Sequence, residues 1–141
     1  LVAAYAAYQH YQKACLIIDA GTALTFCYVD HKGVYQGGAI FPGIGISSKA
    51  LNDYTAKIPL IYVSPQDSLY GKTTEEAVQI GLYSGFKQLI SGMINEYKKD
   101  APNCVVIGTG TGIKLFQDLN GINTINPDLI QDGLLNITKI K

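Results

Sequence analysis

The pattern of apolar runs and turn residues predicts a mixed α/β domain, with a sheet of about five strands flanked by helices. Three observations carry this. Apolar runs of strand length cluster near the start, at residues 15–18, 23–29 and 34–41, with turn-forming residues between them. One long segment, from Thr73 or Thr74 to about Lys99, has helical periodicity and no proline. Beyond it, strand and helix patterns alternate to the end of the chain. The length of 141 residues suits one domain over residues 1–141.

Residues 1–13, rich in alanine and tyrosine and free of glycine and proline, read as the tail of a helix. The run at 15–18 carries two adjacent isoleucines, which suits a buried strand, and ends in Asp19-Ala20-Gly21-Thr22. A second strand, 23–29, follows at once, and Asp30-His31-Lys32-Gly33 supplies a hairpin turn with glycine where positive φ is wanted. The third strand, 34–41, is interrupted by Gly37-Gly38. Pro42-Gly43 breaks the sheet, residues 44–54 have the composition of a short helix, and 58–64 is extended or loop.

Glu75 and Glu76 favour the positive end of the dipole of the long helix, which would extend roughly 38 Å. Val78, Leu82, Phe86, Leu89, Met93 and Tyr97 form its apolar stripe, with Gly81 and Gly85 beside it. Two glycines inside a helix cost about 2 kcal/mol relative to alanine, so a sheet, a neighbouring helix or a second subunit is expected to approach there. Lys98, Lys99 and Pro102 close the helix. A strand at 104–107 leads into Gly108-Thr109-Gly110-Thr111-Gly112; a short helix at 113–119, a strand at 122–125 and a helix from Asp128 complete the chain.

Composition excludes several classes. Eleven basic residues balance eleven acidic ones, whereas a protein living on phosphate-backbone contacts carries a basic excess, so direct DNA binding is not expected. No apolar stretch approaches the ~18–20 residues a bilayer needs. The chain starts without methionine or a signal-peptide pattern, and is expected to be a cytoplasmic fragment. Cys15, Cys27 and Cys104 are scattered, no CxxC or HxxxH spacing occurs, and reduced cysteines packing as small hydrophobes is the expected reading.

Three loops are candidates to hold phosphate. Gly71-Lys72-Thr73 lacks the earlier glycine of a Walker A loop, where Gln66 stands instead. Gly108 to Gly112 lacks the last glycine of a dinucleotide fingerprint, where Ile113 stands. Asp19-x-Gly21-Thr22 survives both tests. Its glycine lets backbone N–H groups turn toward an anion, and Thr22 adds a hydroxyl donor. The Asp19 carboxylate cannot face a phosphate directly, so it must hold a cation or polarise a nucleophile. A plain turn is the alternative.

Taken in order, Ile17-Ile18-Asp19-Ala20-Gly21-Thr22-Ala23-Leu24-Thr25, Gly37-Gly38-Ala39-Ile40-Phe41-Pro42-Gly43, and Gly71-Lys72-Thr73-Thr74 before a helix with Gly81 and Gly85 resemble type III pantothenate kinase. Proteins of that family have also been called Baf-type transcriptional accessory factors. Ala50-Leu51, Ile58-Pro59, Pro127-Asp128-Leu129 and Asp132-Gly133-Leu134 extend the similarity through essentially the whole chain. The resemblance implies a ribonuclease-H-like fold of the actin, sugar kinase and Hsp70 superfamily, with this chain as its second half. It implies ATP-dependent phosphorylation of pantothenate, the first step of coenzyme A synthesis, by a homodimer using Mg2+ and a monovalent cation, K+ or ammonium.

Position by position, the resemblance makes Asp19 the monovalent-cation ligand and Gly21 and Thr22 contacts to ATP phosphate. Gly110 would lie near the adenosine, and Thr74 would contact pantothenate from its own or the partner subunit. Gly37, Gly38 and Gly43 would form backbone walls of the cleft. The family's first phosphate loop and its Gly-x-Asp-Arg motif, which supplies the base, are expected upstream of Leu1, so no catalytic residue is assigned within this chain. The family's usual Thr-Gly-Gly reads Thr109-Gly110-Thr111 here. A non-catalytic regulator that keeps the same fold is the alternative function.

Overall fold

The computed structural model describes residues 1–139. Helix α1 (Val2–Tyr11) precedes strands β1 (Cys15–Ala20), β2 (Ala23–Val29) and β3 (Tyr35–Pro42). Helices α2 (Ile44–Tyr54) and α3 (Thr74–Asp100) follow, then β4 (Val105–Thr109), a single 3-10 turn (Ile113–Phe116), β5 (Thr124–Ile125) and α4 (Leu129–Thr138). The five strands form one sheet in the order β3-β2-β1-β4-β5. β1, β2 and β3 pair antiparallel, whereas β4 runs parallel to β1 and β5 parallel to β4. This is the mixed, ribonuclease-H-like sheet that the resemblance implies.

β1 reads as an unbroken apolar run because it is central and covered on both faces. Leu16, Ile18 and Ala20 join Leu24, Phe26 and Val106 under α3 and the 3-10 turn. Cys15 and Ile17 join Val29 and Ile107 under α1, whose Ala4, Ala6 and Ala7 let it lie close. α4 packs on α1 through Gly133, where a side chain would press into Val2. The strand continues to Ala20, two residues past its predicted end, because Asp19 and Ala20 still pair with Thr25 and Leu24.

Gly37 and Gly38 do not interrupt β3. Gly37 takes φ +104° beside a register shift between Tyr28 and Val29, so the pair bends a continuous edge strand. Gly33 adopts φ +80°, as the turn chemistry predicts. Two other elements shrink relative to expectation. Only Ile113–Phe116 coils in the 113–119 segment, and only Thr124–Ile125 pairs in the 122–125 run, since β5 meets β4 at Ile107 and Gly108 alone.

α3 starts where expected. The Thr73 hydroxyl accepts from the Glu76 N–H, and the Glu76 carboxylate accepts from the Thr73 N–H, a complete capping box. Its buried line is shifted, however. Ile80, Tyr83, Ile90 and Ile94 form the centre, with Phe86, Leu89, Met93 and Tyr97 half-buried beside them. The helix carries an apolar arc wider than one stripe, and the sheet selects which part is covered. Gly81 and Gly85 are exposed, with nothing within 4 Å of a side chain added at either. Neither the sheet nor a neighbouring helix of this chain approaches them.

The three cysteines are free. Burial, with Cys104 nearby adding to it, pushes the Cys15 thiol up to about 11, so it packs as an un-ionised small hydrophobe.

Candidate functional site

The β1–β2 hairpin, the end of β3 and the loop after β4 converge at one end of the sheet. Backbone hydrogen bonds knit them together. Gly21 N–H donates to Ala23 O at 3.0 Å, Gly43 N–H to Thr22 O at 3.1 Å, and Gly112 N–H to Ala20 O at 2.8 Å. The approach is close enough that glycine is required at two of these positions. A side chain at Gly43 would overlap the Thr22 and Gly21 carbonyls, and one at Gly112 would press on the Ala20 carbonyl. Gly43, expected as a wall of the cleft, and Gly112, given no role from the sequence, therefore serve to pack these loops backbone to backbone.

On the α3 side of these loops lies a cavity of about 280 Å³. Gly21, Thr22, Gly43 and Gly112 form its polar rim, and Phe86 and Phe116 its apolar wall. Thr111 also lines it, so the two hydroxyls of Thr22 and Thr111 stand on separate loops around one opening. Tyr83 stacks behind Phe116 at 6.2 Å between ring centroids and holds that wall in place. The first turn of α2, at Ile44 and Gly45, reaches the same cavity and brings the positive end of a helix dipole to it.

Asp19 lies on the opposite face of the sheet, since its side chain alternates with Ile18 and Ala20. It pairs with Thr25, Thr25 pairs with Ile40, and Asp19 pairs with Thr109 on the other side. The four residues form a row across β3, β2, β1 and β4. Ile40 in that row is 78% exposed and Thr109 is buried, so this end of the face is open at the β3 edge and closed at β4. The Asp19 carboxylate is half-buried, and desolvation raises its pKa from the ordinary carboxylate value, with no hydrogen bond among the described residues to offset it. Gly110, at φ +89°, abuts it; any side chain there would overlap Asp19 Oδ1 and the Ala20 carbonyl. An unpartnered carboxylate wedged between two backbone turns is suited to a cation.

The expected site residues are thus only partly brought together. Gly21, Thr22 and Gly43 share the cavity, and Asp19 with Gly110 sits behind the same turn. Gly37 and Gly38 lie lower on the edge strand, opposite Tyr28 and Cys27, and do not line the cavity. Thr74 opens α3 twelve residues before Phe86, about 18 Å along the helix axis. Sequence reasoning missed Phe86, Phe116, Thr25 and Ile40. Hairpin alternation from Asp19 points to Thr25, whereas nothing local marks the two phenylalanines.

A family model of type III pantothenate kinase matches residues 1–96 of the chain. The type III pantothenate kinase of Listeria welshimeri is 38% identical over 136 residues, covering 95% of this chain and 52% of that protein. The one from Treponema pallidum is 38% identical over 138 residues, covering 97% and 50%. The one from Syntrophotalea carbinolica is 36% identical over 136 residues, covering 95% and 53%. The chain spans about half the length of the curated relatives it matches. Among solved structures, a conserved Campylobacter jejuni protein described as a Baf family transcriptional activator superposes with a TM-score of 0.67 at 25% identity, covering 98% of this chain and 63% of that one.

Proposed function

This chain belongs to the type III pantothenate kinase family, and we propose that the protein containing it transfers the terminal phosphoryl group of ATP to a pantothenate hydroxyl. The observation that carries the reading is the unpartnered, half-buried Asp19 set behind the glycine turn at Gly21-Thr22. Phosphoryl transfer needs positioned donors and cations more than covalent chemistry from the protein. In this reading the Thr22 hydroxyl orients the phosphates, since the Gly21, Gly43 and Gly112 N–H groups are committed to backbone carbonyls, and Gly43 and the start of α2 close the cleft around them. Thr111 and Gly112, with Phe86 and Phe116, bound the nucleotide, and Gly110 keeps the Asp19 carboxylate in place. The acceptor hydroxyl must give up its proton to a base, a role for which no residue of this chain is assigned.

Asp19 is a single carboxylate beside the Ala20 carbonyl, a donor set that fits K+ or ammonium. Among the described residues no group of three or more His, Cys, Asp or Glu could hold a metal ion. Bound cations neutralise phosphate charge. A homodimer completes the reading. It gives Gly81 and Gly85 the close neighbour they lack within the chain, and it brings Thr74 of one subunit toward the cleft of the other. The groove of about 480 Å³ at Ile46, Leu51, Tyr54 and Leu82 offers an apolar surface for it. Among the described residues no helix is long and apolar enough to cross a membrane, and we place the protein in the cytoplasm.

The test is formation of phosphopantothenate by the full-length protein with ATP and Mg2+, first in K+ and then in Na+ buffer. Product in K+ that falls away in Na+ supports the reading. No product from folded, dimeric protein in either buffer would favour a regulator that has kept only the scaffold, the reading suggested by the description of the Campylobacter jejuni neighbour.

A further inference from the structure

Of the residues lining the cavity beside the glycine turn, only Thr22 and Thr111 carry a polar side chain. The backbone there offers less than a glycine-rich rim suggests, because the Gly21, Gly43 and Gly112 N–H groups all donate to backbone carbonyls. The first amides of α2, whose N-cap Gly43 supplies no side-chain cap, remain open on their side of the cavity. On the lip formed by the loop after β4, the Gly112 N–H is engaged, and Thr111 has the only polar side chain. The same loop fixes where that hydroxyl stands. Gly110 takes φ +89°, a side chain there would overlap Asp19 Oδ1 and the Ala20 carbonyl, and one at Gly112 would press on that carbonyl. Between β4 and the 3-10 turn, position 111 is thus the one place where a side chain fits, held between two pinned neighbours.

We propose that Thr111 is a binding residue for the phosphoryl donor, its hydroxyl donating to an oxygen of the bound nucleotide, a step that rests on the pantothenate kinase reading. An apolar wall such as that of Phe86 and Phe116 supplies contact area, and a few placed polar groups fix orientation. Here those side-chain groups are the two threonine hydroxyls, on separate loops that backbone bonds already hold in place. Thr22 serves the phosphates at the turn, and Thr111 grips the nucleotide from the loop after β4. The competing role for Thr111 is steric. On bulk alone, a threonine where the family's usual sequence has glycine narrows the opening and weakens binding. Bulk and hydroxyl are separable, because valine keeps the first and removes the second. Thr111 is exposed, so exchanging it leaves the core untouched.

The experiment titrates ADP with Mg2+ into the full-length wild type and its Thr111→Val, Thr111→Ser and Thr111→Gly variants, with heat as the readout. We expect the Kd of Thr111→Val to rise about tenfold, the factor that about 1.4 kcal/mol of lost hydrogen bonding represents, and that of Thr111→Gly to rise likewise. Thr111→Ser should stay within about twofold of wild type, and the pantothenate KM should stay within about twofold in all three. A Kd for Thr111→Val equal to that of wild type overturns the role of the hydroxyl. Tighter binding by Thr111→Gly overturns it too, and assigns the residue a purely steric effect. Wild type that binds no ADP overturns this inference together with the nucleotide site. Wild type that binds ADP but forms no phosphopantothenate overturns the kinase reading alone, and the valine comparison still decides the role of Thr111.

Discussion

Asp19 is held in a way that opposes its own charge. Its folded pKa is raised by desolvation, so the ionised form is disfavoured in the folded state, and the protein gains stability as pH falls toward the ordinary carboxylate range. Asp19→Asn should therefore raise the thermal midpoint near neutral pH, the reverse of what loss of a structural carboxylate would do. It should also abolish any rise in midpoint produced by K+ and reduce turnover of the full-length protein. Thermal denaturation of wild type and variant with and without K+ checks the first two outcomes. A lowered midpoint in the variant would make Asp19 a structural group. Gly110→Ala attacks the same place from the backbone. At φ +89°, beside Asp19 Oδ1, alanine should lose at least about 1–2 kcal/mol in chemical denaturation from the left-handed conformation alone.

Asp30 shows the opposite sign. Its Oδ1 accepts from Lys32 N–H at 2.8 Å and from Val34 N–H at 3.0 Å, and its Oδ2 accepts from Gln36 Nε2 at 2.8 Å. The Val34 N–H leads in holding its carboxyl below the usual range. Its contribution is present above the unfolded pKa and disappears as pH falls through the lower folded one. Asp30→Ala should lower the thermal midpoint at neutral pH, with the gap from wild type closing in acid. The turn was legible in the sequence from Asp30-His31-Lys32-Gly33, with glycine where positive φ is wanted, whereas the backbone bonds of Asp30 emerge only in the structure.

At the scale of elements, α3 separates what pattern does and does not determine. Its start was legible because a capping box is a local device, contained in Thr73 to Glu76. Thr73→Ala should cost about 1 kcal/mol, read from the shift in urea midpoint. Its buried line was not legible. Residues one position apart on a 3.6-residue helix differ by about 100°, so two neighbouring apolar lines both satisfy the period. Tyr83 is chosen over Leu82 by its stack on Phe116, a residue far along the chain. The glycine pair in β3 carried a similar ambiguity. A break and a bend share one composition, and pairing with β2 decides for the bend.

For the molecule as a whole, the surface left uncovered is as informative as the core. Ile40 on the sheet face, and Ile46, Tyr54, Tyr62 and Tyr70 around α2 and the chain that follows it, are exposed apolar groups. In the proposed homodimer, Gly81→Leu or Gly85→Leu should leave far-UV circular dichroism unchanged and shift the sedimenting species from dimer to monomer. A dimer that survives both substitutions would place the interface elsewhere.

Sequence by itself determined the α/β class, the hairpins, the start of the long helix at Thr73 or Thr74 and the family, because each of these is written in short-range turn chemistry and in the order of motifs. It also placed Asp19, Gly21 and Thr22 at one turn. Tertiary structure alone decided that Asp19 and the glycine-rimmed cavity lie on opposite faces of that turn, and that Phe86 and Phe116 wall the cavity. It also set Thr74 about 18 Å along the helix from Phe86. The physical reason is that the side-chain face of a strand and the covered line of a helix depend on what packs against them, and those partners lie far away in the chain.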